Sequence, residues 1–183
     1  MISVAPQREQ NETINQLCDT EPRWFAVYTR YKREKLVLKE LQRRGINAYL
    51  PLQTVTRYYT RKVKTVHLPL ISCYIFVQIT RPEYVPVLEV PDVLNFVRFR
   101  KDLLSIPERE INIMRMVCGE DVEVEVTQGP MAPGDRVEIM GGRLTGMQGT
   151  LMEQSGTHRF VVALDSLGVQ LAMEVPKERL KRL

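Results

Sequence analysis

The feature that most constrains this chain is a change of rhythm near residue 130. From there it reads Gly134-Asp135-Arg136-Val137-Glu138-Ile139-Met140-Gly141-Gly142-Arg143-Leu144-Thr145-Gly146-Met147-Gln148-Gly149-Thr150-Leu151. The pattern is strand, glycine turn, apolar residue, further glycines, strand. Glycines at such turns admit positive φ and close backbone approach. Residues 160–164 and 169–175 add strand-like runs, punctuated by Ser155-Gly156 and Ser166-Leu167-Gly168. Four or five short strands with tight turns predict a small β-barrel over 134–183.

The preceding segment has longer periods. Trp24-Phe25-Ala26-Val27-Tyr28-Thr29 has the composition of a buried strand. A helix follows over about 31–44. Val37, Leu38 and Leu41 form its apolar face, Lys32, Lys35, Lys39 and Arg43 a basic stripe, and Gly45 its C-terminal cap. Strand-like residues occupy 46–59, and Thr60-Arg61-Lys62-Val63-Lys64 reads as a basic hairpin tip or loop. Residues 71–79 are apolar on both faces, as a central strand should be. Pro82 opens a short helix, 93–99 is another strand, and Pro107-Glu108-Arg109-Glu110 starts a last helix. The order β-α-β-β-(α)-β-α defines an α+β domain over 23–118. Residues 1–22 read as a mobile leader. The acidic, Gly- and Pro-broken stretch 119–133 reads as a linker, with an edge strand of its alternating valines as the alternative.

Charge follows the same division. The net charge is only +4 over 183 residues. Residues 23–118, however, hold 18 basic and 8 acidic residues, a net of +10, whereas 1–22 and 119–183 are each −3. A polyanion, or an acidic partner surface, is the expected counterpart of the middle segment. No apolar run approaches the ~18 residues needed to cross a bilayer, and the first residues show no export signal. No membrane partner is therefore expected. Three cysteines at long spacings fit a reducing, cytoplasmic location better than a disulfide framework.

Enzyme chemistry finds little support. His67 and His158 are the only histidines, and neither has a Cys or a second His at metal spacing. There is no nucleophile elbow and no phosphate loop. A non-enzymatic protein with no metal and no cofactor is expected.

The Gly134–Leu151 pattern resembles the KOW motif of SH3-like barrels in proteins of transcription and translation. With a basic α+β domain before it, the chain over about 24–183 resembles the NusG family of transcription elongation factors. The matching elements are the Trp24–Thr29 run, the helix with Glu34 to Arg44, Tyr49-Leu50-Pro51, the run from Leu70 to Val77, and Val93-Leu94-Asn95-Phe96-Val97-Arg98-Phe99. The resemblance implies an α+β fold: an N-terminal antiparallel sheet with flanking helices, plus a KOW barrel. Two departures stand out. Ser72-Cys73-Tyr74 replaces the family's Pro-Gly-Tyr or Pro-Asn-Tyr, and Val85-Pro86-Val87-Leu88 lies where some members carry His-Thr-Thr. The polar leader and the Phe96–Phe99 signature resemble specialised UpxY-type antiterminators of surface (capsular) polysaccharide operons. A housekeeping NusG is the alternative within the family, and a KOW-type ribosomal RNA-binding protein the alternative outside it.

The resemblance also implies site residues. Tyr28, Tyr74 and Phe76 match positions that dock on the clamp helices of the largest subunits of RNA polymerase; the other reading of each is a filled core. Trp24 is expected in the core. Arg30, Lys32 and Arg33 match positions that meet non-template or upstream DNA, and Arg61, Lys62 and Lys64 are weaker DNA candidates. Leu144 matches a position that presents an apolar residue to a ribosomal protein or to Rho; packing within the barrel is its other reading. In one branch of the family this domain folds as a helical hairpin. Gly149, Gly156, Gly168 and the β-branched tail predict strands instead. A monomer is expected.

Overall fold

The computed structural model describes residues 13–60, 62–119, 123–129, 134–154 and 157–183. The first unit comprises β1 (Arg23–Thr29), α1 (Glu34–Arg43), β2 (Asn47–Tyr49), β3 (Leu52–Tyr59), β4 (Lys62–Pro69), β5 (Tyr74–Ile79), α2 (Tyr84–Leu88), β6 (Val93–Phe96) and α3 (Glu108–Cys118). Four of these strands form an antiparallel sheet in the order β2-β5-β1-β6. The remaining pair, β3 and β4, is a separate two-stranded hairpin.

Alternation along β1 decides what each face of the sheet covers. Phe25 and Val27, with Ile75, Val77 and Ile79 of β5, pack with Val37 and Leu41 of α1 and Val87 of α2. Trp24 and Ala26, with Phe76 of β5, pack with Ile111, Met114 and Val117 of α3. The sheet is thus covered on both faces, which explains the unbroken apolar run in β5. Helix α1 ends as expected: Gly45 takes φ +75°, and the amides of Gly45 and Ile46 donate to the carbonyls of Gln42 and Leu41 at 3.0 Å.

The second unit is one antiparallel six-stranded sheet, β12-β8-β9-β10-β11-β7. Its strands are β7 (Val124–Gln128), β8 (Asp135–Ile139), β9 (Gln148–Gln154), β10 (Thr157–Leu164), β11 (Val169–Glu174) and β12 (Leu180–Arg182). Gly149 is required by close approach: a Cβ there would lie 2.6 Å from the Phe160 ring and 2.5 Å from the Val161 carbonyl. The fold class is therefore the expected one, α+β with a β-rich C-terminal unit. Strands, not a helical hairpin, make up that unit.

Two expectations are corrected. The stretch 119–133 is not simply a linker. Val124 and Val126 pair with Met173 and Leu171, so β7 closes one edge of the sheet and turns exposed Glu123 and Glu125 outward. Buried valine contacts outweigh the self-repulsion of the acidic residues. Residues 120–122 and 130–133 lie outside the described residues. The leader is docked from Ile14 onward. Leu103 donates its amide to the Ile14 carbonyl, Gln16 donates its amide to the Leu103 carbonyl, and Leu17 is buried among β1 and α2 neighbours. One buried leucine, backbone bonds and side-chain bonds to Asp102, Ser105 and Arg81 order this segment despite its polar composition. Residues 1–12 of the leader lie outside the described residues. Of the two readings of 60–64, hairpin tip or loop, the structure has the hairpin: Lys62 and Lys64 belong to β4 and face Tyr59 and Arg57.

Candidate interaction surfaces

Register brings Tyr28 and Tyr74 opposite each other at one end of the β1–β5 pair. Their rings meet edge to face, 4.8 Å between centroids, and the Tyr74 hydroxyl donates to that of Tyr28 at 3.0 Å. Tyr28 is 37% exposed and Tyr74 half-buried. Burial and the hydrogen bond to Tyr28 push the Tyr74 hydroxyl well above its usual pKa, so it stays a neutral donor. Phe76 is different: it is fully buried and packs under α3. The expected docking role of Phe76 is corrected: central to β5 and covered by α3, it is core and not a surface contact beside the two tyrosines. Trp24 is core too, and its indole N–H donates to Glu108 of α3 at 2.6 Å.

The turn between β1 and α1 carries Arg30, Tyr31, Lys32 and Arg33, all exposed. Lys32 adopts φ +62°, a left-handed conformation costly for a side chain with a Cβ. The turn is fastened below. The amide of Arg30 donates to the Asp92 carbonyl at 2.9 Å, and that of Thr29 to the Cys73 carbonyl at 2.9 Å. Cys73, itself at φ +66°, donates its amide to the buried carboxylate of Glu34 at 2.8 Å. This buried acceptor holds the Ser72-Cys73-Tyr74 turn that departs from the family pattern. Arg30 and Arg33 lie 3.8 and 3.9 Å from the Asp92 carboxylate, exposed pairs worth little energetically. The ammonium of Lys32 sits 5.1 Å from the Tyr31 ring, and that ring is 65% exposed.

The three loop cations are therefore brought together, beside the Tyr28–Tyr74 pair. Lys62 and Lys64 stand apart on the hairpin, whose base joins α1 through a 2.7 Å bond from Lys35 to the His67 carbonyl. Arg61 lies outside the described residues. Leu144 is only 6% exposed and belongs to the core. It fills space rather than presenting an anchor. The exposed apolar residue of that loop is Met140, just before Gly141. Sequence reading missed Met140, Tyr31, Glu34 and Asp92. A tyrosine inside a basic run and a methionine beside a glycine turn were available signals. No spacing announced Glu34 or Asp92, which act across 39 and about 60 residues of chain.

Among the described residues, no group of three or more His, Cys, Asp and Glu side chains could hold a metal ion. Nor is any helix long and apolar enough to cross a membrane.

The arrangement is that of a two-unit protein with a basic, aromatic-edged α+β unit and a β-rich unit behind it. The family model described as transcription termination factor NusG matches residues 22–115, and the chain belongs to that family. Among solved structures, that titled "Domain interaction in Thermotoga maritima NusG" matches with TM-score 0.56 and 18% identity. The match covers 90% of this chain and 99% of that one. A structure of the MjSpt4:Spt5 complex matches with TM-score 0.31 and 16% identity, over 87% of this chain and 96% of that one.

Proposed function

We propose that this NusG-family protein binds RNA polymerase through its N-terminal unit and suppresses pausing or termination. The single observation that carries this reading is a coincidence of positions. The family match, 22–115, covers the segment of net charge +10, and the same segment presents the Tyr28–Tyr74 pair next to the Arg30–Arg33 turn. Tyr28 and Tyr74 supply aromatic contact area to the clamp helices of the polymerase. Arg30, Lys32 and Arg33 attract the phosphates of upstream or non-template DNA, with Lys62 and Lys64 as an outer basic edge. The mechanism is binding rather than bond chemistry: a ligand that prefers the elongating polymerase shifts its population toward that state.

The C-terminal unit, read as a KOW domain, recruits a ribosomal protein or Rho. Its exposed Met140 is a better contact than the buried Leu144. The finer assignment is a UpxY-type antiterminator of surface (capsular) polysaccharide operons, supported by the polar leader and the Phe96–Phe99 signature.

The test is binding of the full chain to core RNA polymerase, followed by single-round transcription through a pause and a terminator. Tight binding with increased readthrough is expected. Replacing Tyr28 and Tyr74 together by Ser should weaken binding by roughly 2–4 kcal/mol, the range of interface anchors. Unchanged affinity in the folded double variant removes the pair from the docking surface. Co-purification with ribosomes but not polymerase overturns the reading. Genome-wide occupancy then separates a specialised factor, at one or few operons, from a housekeeping one.

A further inference from the structure

Helix α3 touches both units, and its contact with the C-terminal unit contains an unusual group. Glu110 is only 2% exposed. Its Oε1 accepts from the amide and the hydroxyl of Ser166, both at 3.2 Å, in the short 3-10 turn (Asp165–Leu167) after β10. Its Oε2 is buried with no hydrogen-bond partner. A buried carboxylate oxygen without a donor is expensive when the group is charged and far less so when it is neutral. Two long bonds to one residue do not balance that cost.

Among the described residues, no counter-charge is in contact with Glu110. From the C-terminal unit the facing groups are Ser166 and the acid Asp165; from its own helix the nearby cation is Arg109, which is exposed. Next to this contact, a cleft of about 870 Å³ opens between the two units. Glu108, Arg109, Ile113 and Met116 line it from α3, and Arg136 and Asp165 from the C-terminal unit. The cleft leaves packing open beside Glu110, although Ile111, Met114 and Val117 of α3 share one buried apolar cluster with Phe160, Leu164 and Leu171 of the C-terminal unit. At the far end of α3, Arg143 donates to the Gly119 carbonyl at 2.8 Å.

We propose that Glu110 is a proton-dependent pin: the C-terminal unit docks on α3 while this side chain is neutral and is released when it ionises. The direction follows from linkage. Burial, the largest influence, raises the Glu110 carboxyl above its ordinary value; Ser166 opposes this, Asp165 adds to it, and Arg109 opposes it weakly. A group raised in the docked form favours docking fully below its undocked pKa, about 4.3 for glutamate. That contribution disappears as pH rises through the higher, docked value. The sequence offers no other acid on α3 in this position: Glu108 is exposed and paired with Arg115.

The experiment is amide NMR relaxation on the full chain between about pH 5 and about pH 8, which reads whether the units tumble as one body or as two. In the unaltered protein the ratio of docked to released molecules should fall, over this range, about tenfold for each unit by which docking raises the Glu110 pKa above about 5. In Glu110→Gln the ratio should stay within about twofold across the range and exceed the unaltered ratio at about pH 8. Glu110→Leu, which removes both oxygens, should behave like Glu110→Gln and covers the case in which the amide variant does not fold. Identical profiles in the unaltered protein and the neutral variants overturn the proposal. So does weaker docking in both variants.

Discussion

The two sides of α3 are held by opposite means. Toward the N-terminal sheet, the Arg115 guanidinium lies 5.4 Å from the centres of both the Trp24 and Tyr49 rings. Glu108 joins Trp24 and Arg115 at 2.6 and 2.9 Å, and Ile111 is fully buried. Burial pushes the Cys118 thiol up to about 11, with the Tyr49 hydroxyl acting the other way. Toward the C-terminal unit, the helix meets a cleft, an unpaired carboxylate oxygen and two polar bonds from Ser166. One side is a core with its polar groups satisfied; the other shares buried apolar contacts with the C-terminal unit but keeps a cleft and an unsatisfied carboxylate oxygen. The difference teaches that α3 belongs to the first unit and is only borrowed by the second.

Substitutions on the two sides should therefore have different signatures. The largest effect is expected from Ile111→Ala. It leaves a cavity against Trp24 and Phe76 and should cost the N-terminal unit about 2–5 kcal/mol. Urea unfolding followed by far-UV circular dichroism checks this. A loss below about 1 kcal/mol would mean that α3 is not integral to the first core, and the comparison fails. Trp24→Phe is expected to cost less, about 1–3 kcal/mol. It keeps a ring in place but removes the indole donor to Glu108 and part of the surface under Arg115. The same unfolding assay reads it. The relaxation profile of the docked pair should be unchanged in this variant, because Trp24 lies on the other side of the helix from Ser166.

Much of this architecture was legible in the residues. The β1 and β5 runs, the α1 apolar face, the Gly45 cap and the glycine rhythm after 134 each rest on local chemistry and appear where that chemistry puts them, whereas Lys32, expected in the basic stripe of α1, lies in the turn before the helix. What was hidden is long-range. Whether Val124 and Val126 link two units or edge a sheet depends on β11, some 45 residues later. Whether Leu17 is ordered depends on Leu103. The candidate site divides the same way. The cluster Arg30–Arg33 is contiguous and could be read directly. That Phe76 is covered while Tyr74, two residues earlier on the same face, is not depends on where α3 ends over the sheet. The burial of Leu144 and the exposure of Met140 likewise turn on how one glycine loop folds back, through the Gly146 amide donating to the Ile139 carbonyl at 2.8 Å.

The smallest expected effect lies at the C-terminal end of α3. The last carbonyls of a helix lack intrahelical donors and carry partial negative charge. Here the Gly119 carbonyl takes its donor from Arg143 of the other unit. Docking thus completes a helix end. Arg143→Ala should weaken docking by about 0.5–1.5 kcal/mol, the net worth of one such bond, and leave the N-terminal unit's urea midpoint unchanged. Arg143→Lys keeps the charge near the helix end but loses the planar donor pair, so it should fall between the two. Amide relaxation of the full chain at about pH 5, where docking is strongest, measures both. If Arg143→Ala lowers the stability of the N-terminal unit as Ile111→Ala does, the second side of α3 is core as well. The distinction between a built side and a borrowed side would then disappear.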